Sequence, residues 1–229
     1  MGKRIRKARM VADPYPPYQY EERGEIRGID HEIVTAAFAV HGISTETLLL
    51  PWADCLERVQ RGTADGVFQI LPTPEREKLF LFSARLRTEN TLALRVKSRS
   101  GARDTQGDPF RGRRLGVLEG YSYGPAVDRL GESEKLARKS QRELLEALVA
   151  GEVDLILMDA GVAAYLIDKL GSSGTEAVPG FSIQRPLHVA FRRGCAEMAR
   201  QFDSGLAAVR RQGLYERILG SYGLRSQDS

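Results

Sequence analysis

The strongest constraint on the fold is the alternation of apolar strands and amphipathic helices along the first third of the chain. Residues 5–11, 47–50 and 65–71 are apolar runs of strand length. A segment with apolar residues at helical spacing, 33–40, and a helix opening at Trp52 separate them. This order is typical of an α/β sheet with helices packed on its faces. The sequence predicts that class, with functional residues beyond the carboxyl ends of the strands.

Local sequence signals predict where several helices begin and end. Asp30 is expected to be the N-cap of the first helix, and Gly62 to end the helix that opens at Trp52. Ser140 and Glu143 form a capping box at the start of a later helix, which Gly151 ends.

The second half of the chain repeats the α/β pattern. Residues 115–118 and 153–158 have the apolar character of strands, and the second delivers Asp159 to the start of a helix over 160–170. An apolar run over 187–191 follows. The length of 229 residues suits two lobes of roughly 100 residues each.

Charge and hydropathy exclude several classes of partner. The 34 basic and 30 acidic residues are interspersed, so the net charge of +4 predicts a solvated surface with a modest bias toward anionic ligands. No nucleic-acid partner is expected. The long apolar region 144–167 is interrupted by acidic residues and is not a membrane span. Residues 1–9 run directly into a strand, so the protein is cytoplasmic if this N-terminus is native, or exported if a leader has been removed.

Metal and disulfide chemistry are not expected. Cys55 and Cys195 are too few and too far apart for a metal-ligand cluster, and the three histidines share no ligand spacing. Two buried thiols are a better interpretation of the cysteines than a disulfide. No metal or other cofactor is predicted.

Several separated strings together resemble one protein family. No single string is specific, but their order and spacing extend over nearly the whole chain. The resemblance is to bacterial extracellular solute-binding proteins of family 3, the polar amino-acid class with the periplasmic binding protein fold. The strings are A-D-P-Y at 12–15, G-I-D at 28–30, P-W at 51–52, T-P-E-R-E at 73–77, F-S at 82–83 and G-Y-S-Y-G at 120–124.

This resemblance implies an architecture and a function. The fold would be a type II periplasmic-binding-protein-like α/β fold, with two lobes joined by a hinge that the chain crosses twice. Residues 1–87 and 187–229 would form lobe 1, and 88–186 lobe 2. By hinge closure the protein would capture a small polar ligand, an amino acid or related carboxylate, for the membrane subunits of an ABC transporter. It would be a periplasmic monomer without catalytic activity.

The resemblance assigns ligand roles to two charged residues. Arg76 corresponds to the arginine that grips the ligand carboxylate, for which a guanidinium offers two parallel donors. Asp159 corresponds to the aspartate that accepts hydrogen bonds from an α-ammonium group. Alternatives from the residues alone are a surface arginine in a charged run and an N-cap aspartate.

Further contacts are implied around these two residues. The turn at Gly120 would offer backbone amides to the carboxylate, together with the Ser122 hydroxyl, although a plain strand-to-helix turn explains the same string. Tyr15 and Trp52 would flank the ligand side chain, and Asp13 would reach a polar or cationic tip. Lobe core is the alternative for Trp52, and Tyr18 is expected to be core.

One position departs from the family pattern. The family carries serine or threonine five residues before the arginine, whereas this chain has Leu71, with Gln69 two residues earlier. A hydroxyl contact is lost, although the Leu71 backbone amide could still donate. The change admits an amino-acid derivative or a simple carboxylate as ligand.

Two other functions fit the same resemblance. Some relatives on this scaffold dehydrate cyclohexadienyl carboxylates such as prephenate or arogenate, and Glu119, at a strand end, is the acid such an enzyme would use. The chain could also be the ligand-sensing domain of a receptor.

Overall fold

A computed structural model describes residues 6–99, 110–121, 123–131 and 133–225. Its contacts divide the chain into two units. Unit 1 comprises Met1–Thr88 with Arg185–Ser229, and unit 2 is Glu89–Gln184. The chain therefore passes between the units twice.

The first strands of unit 1 are β1 (Arg6–Ala12), β2 (Tyr20–Glu22), β3 (Glu25–Arg27), β4 (Ile43–Leu49), β5 (Gly66–Ile70), β6 (Phe80–Phe82) and the start of β7 (Arg87–Val96). Its first helices are α1 (Ile29–Ala39), α2 (Trp52–Arg61) and α3 (Pro74–Leu79). Strand β1 lies between β4 and β5 and runs parallel to both. The end of a long later strand, Thr175–Arg192, pairs antiparallel with β5 and with β6.

Unit 2 contains a second sheet. Its elements are β8 (Leu115–Leu118), α4 (Pro125–Asp128), β9 (Lys135–Arg138), α5 (Gln141–Ala150), β10 (Leu155–Asp159), α6 (Ala160–Leu170) and β11 (Thr175–Arg192). Strand β10 lies between β7, which is antiparallel to it, and β8, which is parallel to it, and β9 pairs in parallel with β8. Strand β11 leads back into unit 1, where α7 (Ala196–Arg211) and α8 (Leu214–Ser221) complete the described chain.

Each unit has its own apolar core. In unit 1, α1 packs on α7, and the rings of Phe38, Phe191 and Phe202 meet with centroids 5.3–6.3 Å apart. Close approach of the two helices depends on Gly205, where a Cβ would overlap the carbonyl oxygen of Ala37. In unit 2 the core forms around apolar side chains of β7, β8 and β10.

Several predicted helix ends are confirmed. Helix α2 begins at Trp52, and Gly62 ends it in the left-handed conformation with a φ of 77°. The Ser140 side chain accepts a hydrogen bond from the Glu143 amide, so the capping box at α5 is also confirmed. Helix α6 has the predicted bounds and begins after Asp159.

The prediction that Asp30 caps α1 is wrong. The N-cap is Gly28, which has a φ of 120° and no side chain to cap with. Carbonyl groups of the preceding loop instead accept from the first helical amides, Pro17 O from Ile29 N at 3.1 Å and Tyr18 O from Asp30 N at 2.9 Å. A Cβ at Gly28 would overlap Tyr18 O, so glycine permits this docking of loop on helix.

Candidate functional site

Three predicted site residues of unit 1 follow neighbouring parallel strands. Asp13 follows β1, Trp52 begins α2 after β4, and Arg76 lies in α3 after β5. The register pairs Ala12 with Leu49 and Val11 with Val67, so the carboxyl ends of these strands share one edge of the sheet. This is where open α/β sheets bind ligands.

Arg76 is held at this edge by its backbone and by one guanidinium nitrogen. Its amide donates to the N-cap hydroxyl of Thr73 at 3.3 Å, and its Nη1 donates to Leu71 O at 2.9 Å. The guanidinium carbon lies 5.5 Å from the Trp52 ring centroid. Partial burial lowers the pKa of Arg76 from its usual value. No acidic side chain in the described part of the chain forms an ion pair with it, so most of its donors can serve a ligand.

Asp13 places an opposite charge at the same edge. Burial raises the pKa of its carboxyl from 3.8 to about 6, while its own backbone amide lowers it. Within the described residues no basic side chain pairs with this carboxylate. A half-buried, poorly solvated carboxylate without a counter-charge is costly, and a cation bound beside it would remove that cost.

Gln69 is the irregular residue of β5, the strand that pairs with β1. Strand β11 pairs Val189 with Phe68 and His188 with Ile70, which leaves Gln69 as the extra residue of a bulge. Its φ of 63° is in the left-handed region, which non-glycine residues seldom occupy. Bulges and such backbone angles recur beside functional sites, where they redirect side chains.

Gln19, which is fully buried, connects the Asp13 backbone to this bulge. The sequence did not indicate a role for it. Gln19 Nε2 donates to Asp13 O at 3.0 Å and also to Gln69 Oε1. Its side chain is 0% exposed. A glutamine in a loop rich in tyrosine and proline carries no sequence signal that distinguishes it from a solvated residue.

The aromatic residues near this edge differ in burial. Tyr18 is buried, as predicted, whereas Tyr15 is half-buried and stacks on it with centroids 6.0 Å apart and an interplanar angle of 16°. Trp52 is half-buried and packs against a core cluster of unit 1 that includes Cys55 and Val59. The indole therefore packs on the core while Arg76 lies near the ring.

Asp159 of unit 2 acts as a helix cap. Its side chain is buried, and its Oδ1 accepts from Gly161 N at 2.9 Å and Val162 N at 3.2 Å at the start of α6. The N-cap interpretation of the sequence is therefore confirmed. Its contact with an α-ammonium group stays a prediction.

The turn after β8 uses some of its amides internally. Gly120 is exposed and has a φ of 71°, and Ser122 lies outside the described residues. The amides of Tyr123 and Gly124 donate to the Asp128 carboxylate at 3.0 and 3.1 Å. These two amides already have an acidic partner, so a ligand carboxylate would have to use others or displace Asp128.

The residues considered for other chemistry are an exposed glutamate and two buried cysteines. Glu119 is exposed and thus is not in the buried environment that tunes catalytic carboxylates. Cys55 and Cys195 are buried thiols, as predicted, and burial, with the charge of Asp13 adding to it, raises the pKa of Cys55 to about 12. Across the described residues, His, Cys, Asp and Glu form no group of three that could hold a metal ion.

None of the described helices combines the length and apolar character that crossing a membrane requires.

Two α/β units joined by two chain crossings, with charged and aromatic residues at a strand edge, define a binding-protein architecture. The chain belongs to the bacterial extracellular solute-binding proteins, family 3, whose family model matches residues 9–225. The family predicted from the sequence strings is thereby confirmed, and the protein is a solute-binding protein.

Similar proteins with assigned ligands are known. A probable histidine-binding protein of Neisseria gonorrhoeae is 23% identical over 215 residues, covering 91% of this chain and 79% of that protein. The L-arginine-binding protein of Pseudomonas aeruginosa is 24% identical over 224 residues, covering 91% of this chain and 84% of that protein.

Among solved structures, a histidine kinase sensor domain with similarity to periplasmic binding proteins matches with a TM-score of 0.78. It is 22% identical, and the match covers 97% of this chain and 99% of that one. At this identity the likeness shows the fold alone. It agrees with matches to other binding proteins, and the predicted type II periplasmic binding protein fold is confirmed.

Proposed function

We propose that this protein captures an amino acid with a cationic side chain, with L-arginine as the reference ligand. The observation that carries the proposal is a pair of opposite charges, Arg76 and Asp13, at one strand edge of unit 1. Neither forms an ion pair within the described residues. A ligand with a carboxylate at one end and a cation at the other would satisfy both.

The carboxylate of the ligand would bind Arg76. Bidentate hydrogen bonding uses two parallel guanidinium donors, and among the described residues Leu71 O engages only Nη1. The hydroxyl that the family usually places at Leu71 is missing, so the guanidinium carries a larger share of carboxylate binding. Trp52 beside the guanidinium limits its motion and prepares it for the ligand.

The cationic side chain of the ligand would bind Asp13. Its carboxyl, with a pKa of about 6, is largely ionised at neutral pH but poorly solvated. A guanidinium or imidazolium group would supply the missing counter-charge. The ligands named for the relatives, histidine and L-arginine, both carry such groups and support this choice.

The remaining predicted contacts complete the proposal. Tyr15 and Gln69 would flank the ligand side chain from unit 1. From unit 2, Asp159 would accept from the α-ammonium group, and Gly120 with Ser122 would meet the carboxylate. The two units would act as the two lobes, closing on the ligand as predicted from the sequence.

The biological setting follows the family. The family is described as extracellular, and a relative is named as an ABC transporter arginine-binding protein. We accordingly infer a periplasmic protein that delivers its ligand to transporter membrane subunits as a monomer, without catalysis. The exposed position of Glu119 supports the absence of a catalytic acid.

A thermal-shift and calorimetric panel tests the proposal. L-arginine, L-lysine and L-histidine should raise the melting temperature, because a ligand at 100 times its Kd adds about 2.7 kcal/mol to the unfolding free energy. L-citrulline, the neutral isostere of arginine, should bind at least about tenfold more weakly because it cannot pair with Asp13. Equal affinity for citrulline and arginine, or stabilisation by L-glutamate alone, would refute the cationic assignment.

A further inference from the structure

A buried ion pair lies beneath the loop that carries Tyr15. Arg87 Nε donates to both carboxylate oxygens of Asp30 at 2.9 Å. The side chains are 5% and 0% exposed, respectively. Asp30 is the acidic residue that does not cap α1, and Arg87 is the first residue of β7.

The guanidinium of Arg87 also contacts an aromatic stack formed by Tyr18 and Tyr15. The Arg87 guanidinium carbon lies 3.4 Å from the centroid of the Tyr18 ring. On Tyr18 stacks Tyr15, with an interplanar angle of 16°. Cation–π contact and ring stacking therefore connect the ion pair to the outermost aromatic residue of the loop.

Backbone hydrogen bonds join the loop residues 15–19 to one another and to the first turn of α1. Tyr15 N donates to Gln19 O at 2.7 Å, and Tyr18 N and Gln19 N donate to Tyr15 O at 2.9 and 3.2 Å. Asp30 N in turn donates to Tyr18 O at 2.9 Å. Displacing the Arg87 guanidinium would therefore move Tyr18, and Tyr15 with it.

We propose that Arg87 is a positioning residue for the ligand site: with Asp30 it holds the stack of Tyr18 and Tyr15 in the orientation that receives the ligand side chain. This rests on the proposed function, because it takes Tyr15 to contact the ligand. Arg87 lies two residues before the chain leaves unit 1, so the first crossing strand is joined directly to the ligand loop.

A purely structural ion pair would behave differently. It would contribute to stability whatever stands at position 15, and its loss would not depend on Tyr15. A positioning residue acts through Tyr15, so its effect on affinity disappears when the Tyr15 ring is removed.

The experiment is a double-mutant cycle on L-arginine affinity, measured by calorimetry. Arg87→Lys retains the positive charge for Asp30 but loses the flat face that stacks on Tyr18. It should weaken binding about tenfold in the wild-type background and less than about twofold in the Tyr15→Leu background. The matched control is Arg95→Lys, since Arg95 also lies in β7 and donates through Nε to a carboxylate, Glu176, at 2.8 Å. The control should leave affinity unchanged.

Hydrogen exchange of the ligand-free protein gives a second readout that needs no ligand. The amides of Tyr15, Tyr18 and Gln19 should exchange at least about tenfold faster in Arg87→Lys and at the wild-type rate in Arg95→Lys. If Arg87→Lys does not fold, Asp30→Asn combined with Arg87→Met removes both charges at once and takes its place, since no charge is left buried without a partner.

The outcomes separate this proposal from the proposed function. A wild-type protein that binds no cationic amino acid refutes the proposed function, and the exchange rates alone then decide whether Arg87 orders the loop. Unchanged exchange, unchanged affinity, or the same loss of affinity with and without Tyr15 each overturns the positioning role.

Discussion

Two residues, Asp13 and Arg76, make this strand edge unusual, because each charge lacks a partner among the described side chains. Their places beyond strand ends could be predicted from the apolar runs that precede them, whereas their ligand roles were implied only by the family resemblance. The roles of Gln19 and Arg87 could not be predicted from the sequence. Their burial depends on how the loop folds over the start of α1, which one-dimensional patterns do not encode.

Asp13→Asn should weaken L-arginine binding by about 10- to 100-fold, because the neutral amide cannot pair with the guanidinium of the ligand. The same change should raise the unfolding free energy at pH 7 by about 1–2 kcal/mol, because it removes a half-buried charge that is poorly solvated. Calorimetry and denaturant titration measure the two effects. Asp54→Asn, at an exposed acid of α2, is the control and should change neither.

Protein stability and ligand affinity should depend on the protonation of Asp13 with opposite signs. The pKa of Asp13 is raised in the folded protein to about 6 from 3.8, so the folded state binds this proton more tightly. Stability from this group is present below pH 4 and is lost as pH rises to about 6. Ligand affinity should instead increase with pH over the same range. An Asp13→Asn variant whose affinity retained the full wild-type pH dependence would show that another group titrates.

At the scale of elements, helices with strong end signals could be predicted and short strands could not. Gly62 and the Ser140 capping box mark their helices correctly because these signals are local. The β2–β3 hairpin was missed because its turn uses Arg23 and Gly24, with φ of 55° and 81°, in place of the usual Asn-Gly. Strand β4 begins at Ile43, before the predicted 47–50. The polar residues Ser44, Thr45 and Glu46 follow the buried Ile43 and hide the strand from a search for apolar runs.

The contact of α1 with α7 gives a prediction at this scale. Gly205→Ala should lower the unfolding free energy by about 2–3 kcal/mol, because the new methyl group overlaps Ala37 O. Gly220→Ala in α8 is the matched control: nothing lies within 4 Å of its Cβ position, so it should be neutral or stabilise by up to about 1 kcal/mol. Chemical denaturation compares them, and equal effects would contradict the close packing of α1 on α7.

For the whole molecule, the fold class and family could be predicted because many weak strings occur in one order along the chain. The sheet order of unit 1 could not, since nothing local specifies that β1 lies between β4 and β5. Nor could the bulge at Gln69, which arises from pairing with a strand more than a hundred residues away. The proposed site therefore combines residues that were predicted from the sequence with a geometry that only packing creates.

The central claim is that the guanidinium of Arg76, which forms no ion pair with the described acidic side chains, binds the ligand carboxylate. Calorimetry with L-arginine and its decarboxylated analogue agmatine, on wild-type protein and Arg76→Met, tests it directly, with Lys78→Met as the control on the same helix. Wild-type and control proteins should prefer L-arginine by about 100-fold, and Arg76→Met should bind the two ligands within about threefold of each other. An Arg76→Met protein that kept the full preference for L-arginine would place the carboxylate elsewhere and contradict the account.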